Sequence, residues 1–158
     1  MRIFPMALGG LLVAAACSSP KPVGGSFTVD FPSTAAAVAT DNVQVFAFPF
    51  TTPDTCQTLF EERRSKQPPA TGPIAESAVL SPCDLLAGKG TVALGFGNYA
   101  FLGVGQRGGS DFLIGCAAQA ISDSNSNVVI PLTLASNQVS VPTTMCTALS
   151  QHCAGGCM

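Results

Sequence analysis

The sequence predicts a mainly β protein: a single antiparallel β-sandwich of about seven strands, interrupted by a short helical, Pro-rich insert at 50–90. Three observations carry this. Apolar residues alternate with polar ones in short runs at 26–31, 43–48, 92–96, 99–106, 111–121, 128–134 and 138–142, the period-two signature of half-buried strands. Gly, Asn, Asp and Ser punctuate the runs, as in RGGSD at 107–111 and SDSNSN at 122–127, which is the turn chemistry of a sandwich. The 142 residues after position 16 are the length of one domain with one core.

The chain opens with a segment of another kind. Arg2 is the only charge in the first twenty residues, and 3–16 are apolar or small apart from glycines and a proline. Fourteen such residues fall short of the ~20 a helix needs to cross a bilayer, whereas a positive start, an apolar middle and small residues before a cut make a signal peptide over 1–16. The run stops at Cys17, in VAAACSSP. VAAAC resembles the lipobox of bacterial lipoproteins. The resemblance implies cleavage before Cys17, a diacylglycerol thioether on its sulfur and acylation of its new amine. Two or more chains together give stable membrane attachment. Ser18 and Ser19 follow, without the Asp that retains Gram-negative lipoproteins at the inner membrane, so the expected location is the cell envelope, at the outer membrane, on its periplasmic or surface face. Residues 17–25 then form the lipidated cysteine and tether, 26–142 the sandwich with its insert, and 143–158 a Cys-rich tail.

The alternation assigns faces strand by strand. In the first, Phe27, Val29 and Phe31 share a side. After an irregular run over 31–42, Val43, Val45 and Ala47 share one face of the second strand, and Phe46 and Phe48 share the other. Together with Phe50 these aromatics either form an exposed patch or are buried under the insert; burial is the expectation. Asp54 and Gln57 have capping-box spacing ahead of a helix over about 54–65. Its charged surface, including Arg63 and Arg64, is either a docking face or a solvated one. The run 66–82, rich in Pro, reads as a long exposed loop. Ser81, Pro82 and Gly88 bracket a single helical turn as N-cap, first-turn proline and C-cap. Val92, Leu94 and Phe96 alternate, a turn follows at 97–98, and Ala100, Leu102 and Val104 point inward in the next strand. Pro131 demands an edge or a bulge in its own strand, and 138–142 closes the set.

The stretch GNYAFLGVGQRGGSDFLIGCAAQAI, followed by VVIPLTL, resembles the latter half of transthyretin-like and carboxypeptidase-regulatory-like sandwich modules, over about forty residues. The chain as a whole is similar to small bacterial lipoproteins without an assigned activity. Neither resemblance transfers a catalytic residue.

Apart from Cys17 there are six cysteines, Cys56, Cys83, Cys116, Cys146, Cys153 and Cys157. An even number in an exported chain predicts three disulfides. Cys56 with Cys83 would staple the insert, and Cys116 would reach a tail cysteine. A zinc site of Cys146, His152, Cys153 and Cys157 is the alternative, but its spacing lacks paired C-x₂₋₄-C knuckles.

Function is argued largely by exclusion. Six Lys and Arg against nine Asp and Glu after position 16 leave no basic stripe for nucleic acid. His152 is the lone histidine, no G-x-S-x-G elbow occurs, and the glycines of 95–105 lack a Walker lysine. No catalytic residue, metal ligand or cofactor is expected. What remains is a lipid-anchored envelope protein acting as a non-enzymatic interaction or structural module, with an envelope protein or glycan as its partner. A small-ligand or carbohydrate-binding lipoprotein using the insert is the alternative. The candidate binding surface is Phe46, Phe48, Phe50, Arg63 and Arg64.

Overall fold

Seven strands and four short helices carry residues 23–157, the part of the chain that the computed structural model describes. The segments expected to be the signal peptide (1–16) and the lipidated cysteine and tether, as far as residue 22, lie outside the described residues. The strands are β1 (Val23–Asp30), β2 (Asn42–Pro49), β3 (Ala75–Glu76), β4 (Thr91–Leu94), β5 (Gly97–Arg107), β6 (Ser110–Ile121) and β7 (Asn127–Leu134). The helices are α1 (Thr34–Ala39), α2 (Thr55–Arg64), α3 (Pro82–Leu86) and α4 (Leu149–Cys153).

The strands form one sheet in the order β3-β2-β5-β6-β7-β1-β4. It curls until its edge strands β3 and β4 touch, giving a nearly barrel-shaped sandwich. One pairing departs from the antiparallel expectation: β1 and β7 run parallel, from Ser26 opposite Asn127 to Asp30 opposite Pro131. A parallel pair needs a long crossover, and here the excursion through β2–β6 supplies it. The strand β7 serves two partners, β1 through 127–131 and β6 through 132–134. Pro131 sits where one partner gives way to the other, the place in a strand where a missing N–H costs least.

The barrel interior is filled by Phe27, Val43, Val45, Val92, Leu94, Phe101, Leu113, Val128 and Ile130. A second apolar layer lies outside the sheet, where Phe48, Ala100, Leu102, Val104 and Ile114 meet Leu59 of α2. The expected orientation of β5 is therefore reversed. Phe101 faces the interior, whereas Ala100, Leu102 and Val104 face α2. Alternation separates two faces but cannot say which is inside when both are covered.

Glycine is required at two places for different reasons, backbone conformation at one and close packing at the other. At the β5–β6 hairpin Gly108 and Gly109 take φ of 56° and 74°, both left-handed, as a two-residue hairpin turn requires. Gly115 lies so close to β7 that a Cβ would strike the carbonyl of Pro131.

Several local expectations are corrected. Residues 34–39 form α1 rather than an irregular run: Ser33 Oγ accepts from the Ala36 N–H at 3.1 Å, and the Ala-rich turn that follows is strongly helix-forming. Asp54 precedes α2, but its side chain makes no capping bond; the Thr55 hydroxyl closes the turn by donating to the Thr52 carbonyl at 2.7 Å. The second half of the expected loop lies along the edge of β2, with N–H groups of Ile74, Ser77 and Leu80 donating to carbonyls of Ala47, Val45 and Val43. Phe96 is not in a strand, because β4 stops at Leu94 and the turn is at 95–96 rather than 97–98. Residues 138–142 form no strand, since β7 already has a neighbour on each side; Val139 and Val141 pack on the core as a strap.

The three disulfides join Cys56 to Cys116, Cys83 to Cys153 and Cys146 to Cys157. Neither expected pairing forms. The helix α2 crosses the outer face of β6 and presents Cys56 to Cys116, while α3 packs against α4 and presents Cys83 to Cys153. Closing a loop of 60 residues is worth about 4 kcal/mol in the chain-entropy account.

The N-terminal cap of α3 forms as expected, with Ser81 as N-cap and Pro82 in the first turn, whereas the C-cap is Ala87 and the expected Gly88 follows it at φ 74°. Ser81 and Asp84 make a reciprocal capping box, and Lys89 Nζ meets Asp84 Oδ1 at 2.7 Å. The bonds from Lys89, and then from Ser81, lower the Asp84 pKa from 3.8 to about 2. A lowered carboxylate pKa stabilises the fold above the unfolded value and loses that contribution as pH falls through the folded one. Between pH 4 and pH 2 the wild type therefore loses an increment of stability that Asp84→Asn does not lose, measured as the pH dependence of the urea midpoint. The packing at Gly115 gives a second test. Gly115→Ala is expected to cost about 1–3 kcal/mol in chemical denaturation. Gly24→Ala, with no atom within 4 Å of its new methyl, should be close to neutral.

Candidate functional site

The amphipathic helix α2 buries Leu59 and is bolted to β6 by the Cys56–Cys116 bridge. It covers only part of the outer face of the sheet. Beside it runs a groove of about 1300 Å³. Phe46, Phe48, Leu102 and Ile114 form its floor, Arg63, Arg64 and 66–69 one wall, and 134–139 the other, with the β5–β6 hairpin at one end.

Four of the five candidate surface residues come together here, Phe46, Phe48, Arg63 and Arg64. Their roles differ. Phe48 is only 4% exposed and supports the floor from beneath, while Phe46 is half-buried. Phe50 lies outside the groove, half-buried against the same apolar layer. Phe48 alone of the three is buried, while Phe46 and Phe50 stay half-buried. Arg63 is bound in a two-pronged ion pair, Nε to Asp111 Oδ2 at 2.6 Å and Nη2 to Oδ1 at 2.8 Å. The Arg64 guanidinium lies 5.6 Å from the centre of the Phe60 ring, a cation–π distance. Lys66 stands exposed on the rim at φ 56°.

The pairing of Asp111 with Arg63 in the groove wall is not legible in the sequence, because 48 positions separate the two and no local pattern links them. The pair ties the end of α2 to the start of β6 and so fixes the groove wall. Ser110 and Ser136 are the hydroxyls at the rim, with no imidazole beside them. His152 lies instead on α4, its Nδ1 buried without a hydrogen-bond partner. The sulfurs of the alternative zinc site, Cys146, Cys153 and Cys157, are all in disulfides. The groove combines an apolar floor with a charged rim.

If the ion pair positions this wall, a double-mutant cycle on Arg63→Ala and Asp111→Ala should return a coupling of about 1 kcal/mol. The coupling should shrink at high salt, because both groups are about one-third exposed. Additive single-site effects would show that the pair contributes nothing. Comparison of the chain with protein-family models, with curated proteins and with solved structures finds no match.

Proposed function

We propose that the chain is a lipid-anchored envelope protein acting as a non-enzymatic interaction module, with the groove beside α2 as its contact surface. The anchor rests on the lipobox-like VAAAC at 13–17, and the expected site is the outer membrane of a Gram-negative bacterium. One observation carries the contact surface: the insert and the strap converge on a single groove that combines an apolar floor with Arg64 and Lys66 at its edge. Its volume supports one class of partner over another. About 1300 Å³ exceeds the roughly 300–1,000 Å³ of small-molecule sites, which favours an extended segment of an envelope protein over an enclosed ligand. A glycan is the second reading, favoured by the half-buried ring of Phe46 in the floor.

The test is photo-crosslinking in the native envelope, with a photoreactive amino acid at position 66 on the rim or at position 129, an exposed site on β7. A protein adduct from position 66 that is absent from position 129 is the expected result. Indistinguishable adducts from the two positions would defeat the groove as the contact surface. For the anchor, Cys17→Ser should release the domain from membranes. Undiminished membrane retention of that variant would refute lipidation.

A further inference from the structure

One end of the barrel gathers elements that are far apart in sequence. The start of β1 is there, because Val23 pairs with Leu94 at the end of β4. Gly95 and Phe96 then carry the chain across that end from the edge strand β4 to the central strand β5. The β6–β7 turn lies there too, since Gly97 pairs with Ile121 and Ser122 bridges Asn125. The Tyr99 hydroxyl donates to the Gly95 carbonyl at 3.1 Å, with the Phe96 carbonyl 3.4 Å away. The backbone of the crossing is thereby braced from within, while the Phe96 side chain is left 54% exposed.

A single exposed apolar residue is ordinary on a protein surface. Ile74, Val79, Leu86, Val129 and Met145 are also exposed. Position sets Phe96 apart. Only six residue steps separate Cys17 from Val23, about 22 Å at full extension. Building on the lipid anchor proposed above, we infer that this end of the barrel rests on the bilayer and that Phe96 enters its interfacial layer.

Charge at this end is sparse: Asp123 is the only charged residue in 95–98 and 121–126, and Asp54 the only one in 50–54, the segment whose Phe50 N–H donates to the Asn98 carbonyl. Aromatic and large apolar side chains are favoured in the interfacial layer. One ring suffices because the acyl chains already hold the protein at the membrane, so its insertion is an intramolecular event at high effective concentration. Its contribution is orientation. With Phe96 down, the β5–β6 hairpin end of the groove faces away from the lipid, at the far end of β5.

The chain contains no tryptophan, so Phe96→Trp places a single reporter at this end. Met145→Trp is the control: Met145 is 82% exposed and lines a cavity with Ala35, Val38 and Ala39 of α1, at the opposite end. Both full-length proteins would be purified from membranes and reconstituted into phosphatidylcholine–phosphatidylethanolamine vesicles, with acylation of Cys17 read by intact mass. The expected result is blue-shifted emission from Phe96→Trp that is quenched by acyl-brominated lipid, with neither effect for Met145→Trp. Acylated protein in which Phe96→Trp stays unshifted and unquenched would overturn the inference while leaving the anchor in place. Equal quenching of both reporters would overturn the fixed orientation. An unmodified Cys17 would remove the anchor and the inference together.

Discussion

Residues 100–105 of β5 are buried on both faces of the sheet, and much of the architecture follows from covering both sides of one strand. The inner side is covered by curling the sheet until β1, β4 and β7 lie opposite β2, β5 and β6. Gly115 permits the close approach of β6 to β7 that this needs. The outer side cannot be covered by the sheet itself, so the insert supplies α2, whose mean hydropathy is low and whose apolar contact rests mainly on Leu59 and Phe60. A helix of ten residues with so narrow an apolar stripe is marginal alone. Its attachment therefore depends on two cross-connections to β6, the Cys56–Cys116 bridge near its start and the Arg63–Asp111 pair near its end.

What the sequence discloses divides along the same line. Strand existence is legible because alternation is local: the runs at 43–48, 99–106 and 111–121 become β2, β5 and β6 with small changes at their ends. The start of α3 is legible for the same reason, since Ser81 and Pro82 act within its first turn, whereas the reciprocal role of Asp84 is not read from the sequence. The orientation of β5 is not legible, because a strand buried on both sides has no polar face to mark the outside. The run at 138–142 alternates as well as any other, yet it forms no strand. Whether an alternating segment pairs depends on a free sheet edge, which is a property of the fold and not of the segment.

Covalent and ionic cross-links are the least legible features, and they are the ones that build the groove. Nearness in sequence favours Cys56 with Cys83, but geometry decides, and α2 presents Cys56 to β6. Nothing about Asp111, at the start of β6, marks it as a partner for an arginine on a distant helix. Four of the candidate surface residues nonetheless come together, because Phe46 and Phe48 lie on the outer face of β2, beside which α2 carries Arg63 and Arg64. The groove lies where the insert leaves the sheet half covered.

The groove and the proposed anchor also stand in a definite relation along the barrel. Ten residue steps of β5 separate Gly97, at the end where β1 begins, from Arg107 at the other hairpin, a rise of about 33 Å. Arg63, Asp111 and the strap all lie toward the Arg107 end. A tether of a few residues joined to a flexible domain would leave that groove facing the bilayer as often as the envelope space. A rigid turn, braced by Tyr99 and carrying one exposed ring, would remove half of those orientations at the expense of a single solvent-facing Phe. On the proposed reading Phe96 belongs to the same device as the lipid: the acyl chains would set where the domain resides, and the ring would set which way the proposed contact surface points.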